Sequence, residues 1–493
     1  MVQSFQGKTC PVIIFILVFF FSTPLFSAEE DPAGPYVALP GLIDLRSNFS
    51  DGRHSIEELA LMARSRGFKV LFINDHERIK LSYGIPPFRN VAKYTKEYPS
   101  IMTHGPEKYL EEIDRVSKKY PDMVIIPGCE TSPFYYWSGS WFKKDLTVHE
   151  YDRRILILNF NRAEDYERLP SLGNHLSFKY TRTLLPGLAA YLIPFFIGIL
   201  FLKWRGFFRW TGWFLIVLST LGVVDYNPFR GSLFSPYQGD MGIAPFQEVI
   251  DYVDHRGGLT FWNYTEQKSG RRKHGPIYAD TPPYPKVLRQ SKNHTGFSAI
   301  YGDHITITAP GEEWDRALNR YCRAPEGNPP WGIATADFHE DGRLGLKLGA
   351  FPTTFLVKKP TRAGVLDALK KGRMYCSRGD GTAWLTLDDF HASGGGTDRA
   401  FMGETLSTSE APVIRFRISY NTGKETPVTV LLIRGGTLLR TFSGTTPMDV
   451  EFTDLEAPAE GLTYYRLMDN KKHLTSNPVF VKRVNHVRYL RKD

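Results

Sequence analysis

Asp51, Asp75, His76, Glu130, Asp337 and His339 are the residues of this chain whose types and positions suit chemistry. Asp51 sits in a Ser-Asp-Gly turn after an apolar strand that ends on Arg46-Ser47-Asn48. Asp75 and His76 close the strand of "VLFINDHE", Glu130 closes that of "MVIIPGCETS", and Asp337 and His339 follow that of "GIATADFHEDG". In parallel β/α folds, functional side chains gather at the carboxyl ends of strands. Two imidazoles with several carboxylates form a mixed donor set that suits zinc, manganese or iron(II). Each residue also has a structural reading. Ser50-Asp51-Gly52 serves as a turn, and Asp51 could cap the helix that follows. A lone histidine at a strand end is more often a hydrogen-bonded structural residue than a ligand. Several acid and histidine strand ends in one chain favour a metal-type site.

Such side chains need a scaffold of alternating strands and helices. "RRILILNF" (153–160) is a wholly apolar run of the fully buried kind. "PFQEVIDYVDHRGGLTFWN" (245–263) reads as a helix, a Gly-Gly turn and a strand ending near Asn263. "TGFSAIYGD" is a further strand, and "TRAGVLDALKKGRMYCS" is a helix running into a short strand. Repeated β-α units point to a parallel sheet or barrel. From about Thr386 the pattern becomes short alternating strands split by Gly, Asn, Asp and Pro, which predicts a small antiparallel β-sandwich. At 493 residues the chain is too long for one core, and two or three domains are expected.

Two hydrophobic regions stand apart. Lys8, an apolar run from Pro11 to Phe26 and acidic Glu29-Glu30-Asp31 read as a secretory signal or an uncleaved signal anchor. "LLPGLAAYLIPFFIGILFL" (184–202) carries no charge, and "TGWFLIVLSTLGVV" (211–224) follows after a basic, tryptophan-rich link. Together they predict a membrane hairpin, with Lys203, Arg205 and Arg209 at the cytoplasmic interface. A pair of buried core helices, or a hairpin lying in the interface, is the competing reading. The formal charge of +9 comes from scattered basic residues, without zinc-finger spacing or an RNA-binding signature. That favours a membrane-facing or exported protein over a nucleic-acid binder. Four cysteines, of which Cys10 precedes the first apolar run, argue against a disulfide framework.

The strand–Ser-Asp-Gly–helix opening, "INDHE", "IIPGCETS", "GGLTFWN" and "GIATADFHEDGRLG" resemble, in this order, the motifs of the PHP (polymerase and histidinol phosphatase) superfamily. "VLDALKKGRMYCSRG" and "YYRLMDN…SNPVFV" are similar to the CehA/McbA-type metallohydrolase branch. The resemblance implies an α/β fold: a PHP-type distorted (β/α)7 barrel, here interrupted by the hydrophobic hairpin and followed by the β-sandwich. Taken with the hydrophobic segments, this divides the chain into a signal peptide or signal anchor at 1–28, barrel at 36–180, transmembrane hairpin at 184–224, barrel at 230–385 and β-sandwich at 386–493.

The resemblance also implies metal-dependent hydrolysis, usually of phosphoesters, with up to three metals. This chain departs from the pattern. Arg46-Ser47-Asn48 stands where the family has His-x-His, and Arg154-Ile155 and Tyr264 stand where two further histidines are expected. On the family's mapping one metal position keeps its full ligand set, Asp51, His76 and His339, while Glu130 and Asp337 remain as bridging carboxylates of the others. The expectation is a divalent metal (zinc, manganese or iron) at fewer than three sites, with Glu130 or Asp337 as general base. Arg46 either clamps an anionic substrate or neutralises Glu130 and Asp337 in a dead site. The chain is then an exported, membrane-tethered hydrolase of small anionic substrates, with its bulk periplasmic or otherwise extracytoplasmic. The alternative is an inactive PHP-like binding or scaffold protein whose protein partner meets the β-sandwich. His149, His175 and His304 are further histidines that could act as replacement ligands.

Overall fold

The computed structural model describes residues 35–484, apart from 175–176, 268–269, 304 and 344–345. The signal segment, His175 and His304 lie outside the described residues.

Seven strands build the part of the molecule that carries the site: β1 (Val37–Leu45), β2 (Val70–Ile73), β3 (Val124–Thr131), β4 (Arg154–Leu158), β5 (Leu259–Asn263), β6 (Gly296–Ile300) and β7 (Trp331–Ala334). Their apolar runs are buried on both faces, as strands covered on two sides require. They pair in the order β7-β6-β5-β4-β3-β2-β1. The sheet curls until its ends approach: Ala336 N donates to Ile43 O at 3.1 Å and Phe338 N to Asp44 O at 3.1 Å. The result is a mixed α/β protein around a curled, barrel-like sheet.

One expectation is corrected. The sheet is not parallel throughout, because β4 runs antiparallel to both β3 and β5. The link from β3 to β4 contains the hairpin Tyr136–Ser138/Thr147–His149 and no crossover helix, so the chain returns reversed. At the site end, β4 therefore presents its first residue, Arg154, beside the last residues of its neighbours.

Helix α1 (Ile56–Ser65) follows the Ser-Asp-Gly turn and buries Ile56, Leu59, Ala60 and Ala63, one face at helical spacing. Its cap is Ser55, in a reciprocal capping box with Glu58, which leaves Asp51 free of that task. Two later helices, α2 (Thr181–Phe201) and α3 (Phe207–Tyr226), are long and apolar enough to cross a membrane, with mean hydropathy 2.2 and 1.5. They touch through small residues: a Cβ on Gly198 would fall 2.8 Å from Gly212 O.

Past Met374–Ser377 the described residues form strands joined by turns and loops, with no helix. Leu387, Phe390, Ile414, Phe416 and Ile418 from a four-stranded sheet share one apolar cluster with Val430, Leu432, Tyr465, Leu467 and Val481. The latter strands continue the barrel-like sheet through the pairing of Met374–Ser377 with Leu474–Ser476. Helix α4 (Glu313–Arg323) ties the two regions together, because its buried Asp315 pairs with buried Arg466 at 2.7 Å. Cys129, Cys322 and Cys376 are free.

Candidate metal centre

The turn after β1 is shaped by Asp75. Its carboxylate accepts from Ser47 N at 2.8 Å, Ser47 Oγ at 2.6 Å and Ser50 Oγ at 2.5 Å. Asp75 therefore organises the loop that carries Asp51. Gly52 is required there, since a Cβ would lie 2.3 Å from Arg46 O.

The folded turn brings Asp51 to His76 and His339. One donor atom from each lies within 4.8 Å of the others. His339 Nε2 is 3.0 Å from Asp51 Oδ2, and His76 Nε2 is 3.5 Å from Asp51 Oδ1. The opposite ring nitrogens are already engaged. His339 Nδ1 lies 2.7 Å from Asp337 O, and His76 Nδ1 lies 3.2 Å from Glu130 Oε2. With Nδ1 directed to these oxygens, each ring turns its Nε2 to Asp51, where it donates to the carboxylate when protonated and is free to bind a metal when it is not. Burial opposes the charge on Asp51, yet hydrogen bonds from His339 and His76 hold its carboxyl well below the usual range. Burial, with Arg46 nearby, pulls His76 down. Two oriented imidazoles and an ionised carboxylate fit a divalent transition metal with open positions for water or substrate.

Beneath this triad lies a charged network. Arg46 is fully buried. Its guanidinium reaches Asp44 at 2.7 Å, Glu130 at 2.8 Å and Asp337 at 3.5 Å, and it donates to Asn74 O. Glu130 also receives Arg154 at 2.7 Å and Asn263 Nδ2 at 2.7 Å. Burial opposes its charge, but Arg154 and Arg46 outweigh it and keep its carboxyl down at about 2. Burial pushes the Asp44 carboxyl up to about 6 against the pull of Arg46. Asn263 Nδ2 at 3.0 Å and the Tyr264 hydroxyl both donate to Asp44.

Asp51, His76 and His339 thus come together. Glu130 stands behind His76, and Asp337 holds His339 through its carbonyl while its side chain remains 41% exposed. Glu130 accepts hydrogen bonds from Arg154 and Asn263 and faces Arg46 and His76, surroundings that suit an anchor. Arg46 is buried with its guanidinium among Asp44, Glu130 and Asp337, the place of a buried counter-ion. The guanidinium that reaches open space is that of Arg154. It lines a cavity of about 160 Å³ together with Asp51, His76, Arg78, Lys80 and Tyr151. His149 is placed elsewhere, bonded to Ser138 at 2.7 Å and facing Asp280 at 3.6 Å.

Asp44, Arg154 and Asn263 were missed as site residues. Asp44 had a signal, since Asp44 and Arg46 stand two apart at a strand end and so share a face. Arg154 had a signal only in the resemblance, since it stands where a further histidine is expected.

No protein-family model matches the chain, and no curated protein does. Several solved structures are similar at low identity. One is a two-domain protein from Bacteroides vulgatus containing a predicted PHP-like metal-dependent phosphoesterase (10% identity, TM-score 0.34, covering 88% of this chain and 91% of that one). Another, from Bifidobacterium adolescentis, is named as a metal-dependent phosphoesterase (12%, TM-score 0.26, 61% and 87%). A third is an amidohydrolase from Chromobacterium violaceum with bound sulfate and no metal (14%, TM-score 0.27, 62% and 88%).

Proposed function

We propose that this chain is a membrane-tethered, PHP-like hydrolase reduced to one metal, acting on phosphoesters or similar small anionic substrates. The observation that carries the reading is the pair of imidazoles anchored through Nδ1 to Glu130 and Asp337 O, with both Nε2 atoms turned to Asp51. Asp51, His76 and His339 would hold zinc, manganese or iron(II). Such an ion, when bound, activates water and polarises the ester. Glu130 fixes the tautomer of His76, and Asp337 does so for His339. Arg154 holds the anion from the cavity wall. Asp337, the carboxylate beside His339 that retains exposure, is the group available to take a proton from water. The likeness of "VLDALKKGRMYCSRG" and "YYRLMDN…SNPVFV" supports placement in the CehA/McbA branch. The strands after 386 are proposed as a β-sandwich that follows the barrel parts at 36–180 and 230–385. Helices α2 and α3 are proposed as a hairpin spanning the membrane, with the rest of the chain on the extracytoplasmic side.

A second reading has its own support. The guanidinium of Arg46 and that of Arg154 sit among Asp44, Glu130 and Asp337, where added cations would meet repulsion. An inactive binding module would keep such a network without a metal. Metal content separates the two. Stoichiometric zinc, manganese or iron in the purified full chain, lost in the His76→Ala/His339→Ala variant, supports the hydrolase. A folded protein that binds none of these ions under saturating dialysis overturns it.

A further inference from the structure

The tip of the hairpin Tyr136–Ser138/Thr147–His149 has the sequence "GSWFKKD" (139–145). It is a formed turn. Asp145 Oδ1 accepts from Ser140 N at 2.7 Å, Lys143 N donates to Ser140 O at 3.2 Å, and Lys144 N donates to Trp141 O at 3.2 Å. These bonds present Trp141, 54% exposed, and Phe142, 93% exposed, to the outside. A turn this well bonded that covers neither aromatic is built to show them.

Its surroundings are basic. Lys143 and Lys144 follow the aromatic pair directly. In the same four-stranded sheet, Arg272–His274 is exposed throughout. His274 pairs with Ile277, and Tyr278 N donates to Leu146 O at 2.9 Å, which brings Lys273 and His274 to the edge that carries the turn.

The hairpin also has a direction. Tyr135 meets Tyr151, which lines the cavity, edge to face at 6.0 Å. Two residues on, Trp137 packs at 5.1 Å on Tyr83 and its amide donates to Pro236 O at 2.8 Å. Gly84, next along, donates to the Tyr237 hydroxyl at 2.5 Å. The loop after Gly84 is pinned to the end of α3, where Asn90 N meets Asp225 Oδ1 at 2.6 Å. The hairpin therefore runs from the cavity wall toward the base of the apolar helices, and its tip lies beyond Trp137 on that side.

We infer that the turn 139–145 is a second membrane contact, which rests on reading α2 and α3 as a membrane hairpin. Trp141 and Phe142 enter the interfacial zone of an anionic bilayer, and Lys143, Lys144, Arg272 and Lys273 meet lipid phosphates. Two contacts at different places on the body would fix the orientation of the cavity over the membrane, which a hairpin alone leaves free to swing.

The test uses the full chain in vesicles of equal parts phosphatidylcholine and phosphatidylglycerol, with and without brominated acyl chains. The difference between wild-type and Trp141→Phe emission isolates Trp141. The expected difference spectrum is blue-shifted and quenched by the brominated lipid. That quenching falls several-fold in pure phosphatidylcholine, and likewise with Lys143→Glu and Lys144→Glu. An unquenched Trp141 beside quenched hairpin tryptophans 204, 210 and 213 overturns this contact and leaves the hairpin standing. Absence of quenching at every tryptophan overturns the hairpin, and this contact with it.

Discussion

A guanidinium taken out of water costs several kcal/mol unless its charge is met. Arg46 meets it with Asp44, Glu130 and Asp337, and its neighbours depend on it in turn. Replacing Arg46 by Met leaves Asp44 and Glu130 buried beside one another with only Arg154 opposite. The expected loss is about 3–5 kcal/mol at neutral pH, read from urea unfolding. A loss below about 1 kcal/mol would mean that the carboxylates are neutralised some other way. The candidate residues above the network were legible because acid and histidine at strand ends is a local pattern, but the grouping of Asp51, His76 and His339 came only from the resemblance. The meeting of Arg46 with Glu130 and Asp337 was among the expectations; the shares of Asp44, Arg154 and Asn263 were not, because they depend on which strand ends are neighbours. Asn263, for example, bridges Asp44 and Glu130 across 219 and 133 residues of chain.

Elements settle that question. The alternation of strand and helix was readable from apolar runs and turn residues. The direction of β4 was not, since a five-residue apolar strand looks the same in either sense. The fit of β5 against the following segment is equally silent in sequence. Ser291 Oγ accepts from Trp262 Nε1 at 2.9 Å and donates to Val287 O, which leaves it to accept from His294 Nδ1 at 3.1 Å. His294 is then a buried neutral imidazole, and burial pushes its pKa down to about 4 from 6.5. The unfolded chain binds this proton first on acidification. The contribution is therefore whole above pH 6.5 and is lost as the pH falls toward 4. Lowering the pH from 7 to about 4.5 should cost some 2–3 kcal/mol of stability through this group. His294→Gln should flatten the unfolding free energy over that range; an unchanged pH slope would refute the assignment. The contact of α4 with the later strands makes a second test. Asp315 accepts from Arg466 Nε and Nη2 at 2.7 Å each and from the Tyr464 hydroxyl at 2.8 Å. Arg466→Leu strands that carboxylate and should cost about 3–5 kcal/mol. It should also separate the two melting transitions in calorimetry, whereas one unaltered transition would show that the sheet alone couples the regions.

At the scale of the whole molecule, the position of α2 and α3 in the chain decides what they can do. Strand β4 precedes them, β5 follows them, and the two pair along five residues from Arg154–Asn263 to Leu158–Leu259. Both halves of the site, Glu130 before the helices and Asn263 and Asp337 after them, must therefore lie on one side of any membrane. A single crossing is excluded by the sheet itself. The helices cross twice or not at all, and a reporter fused after Arg205 should sit opposite the barrel. The ends of the pair are also closed on the body. Ser177 N donates to Phe229 O at 2.7 Å and Thr181 Oγ1 to Pro228 O at 3.4 Å. The strands do not need the helices to bring their ends together. Replacing 181–226 by a short Gly/Ser linker, in a chain that also lacks residues 1–34, should give a detergent-independent protein. That protein should unfold cooperatively and bind metal with the stoichiometry of the full chain. Aggregation in the absence of detergent, or loss of the metal with the linker in place, would instead make the helices part of the core.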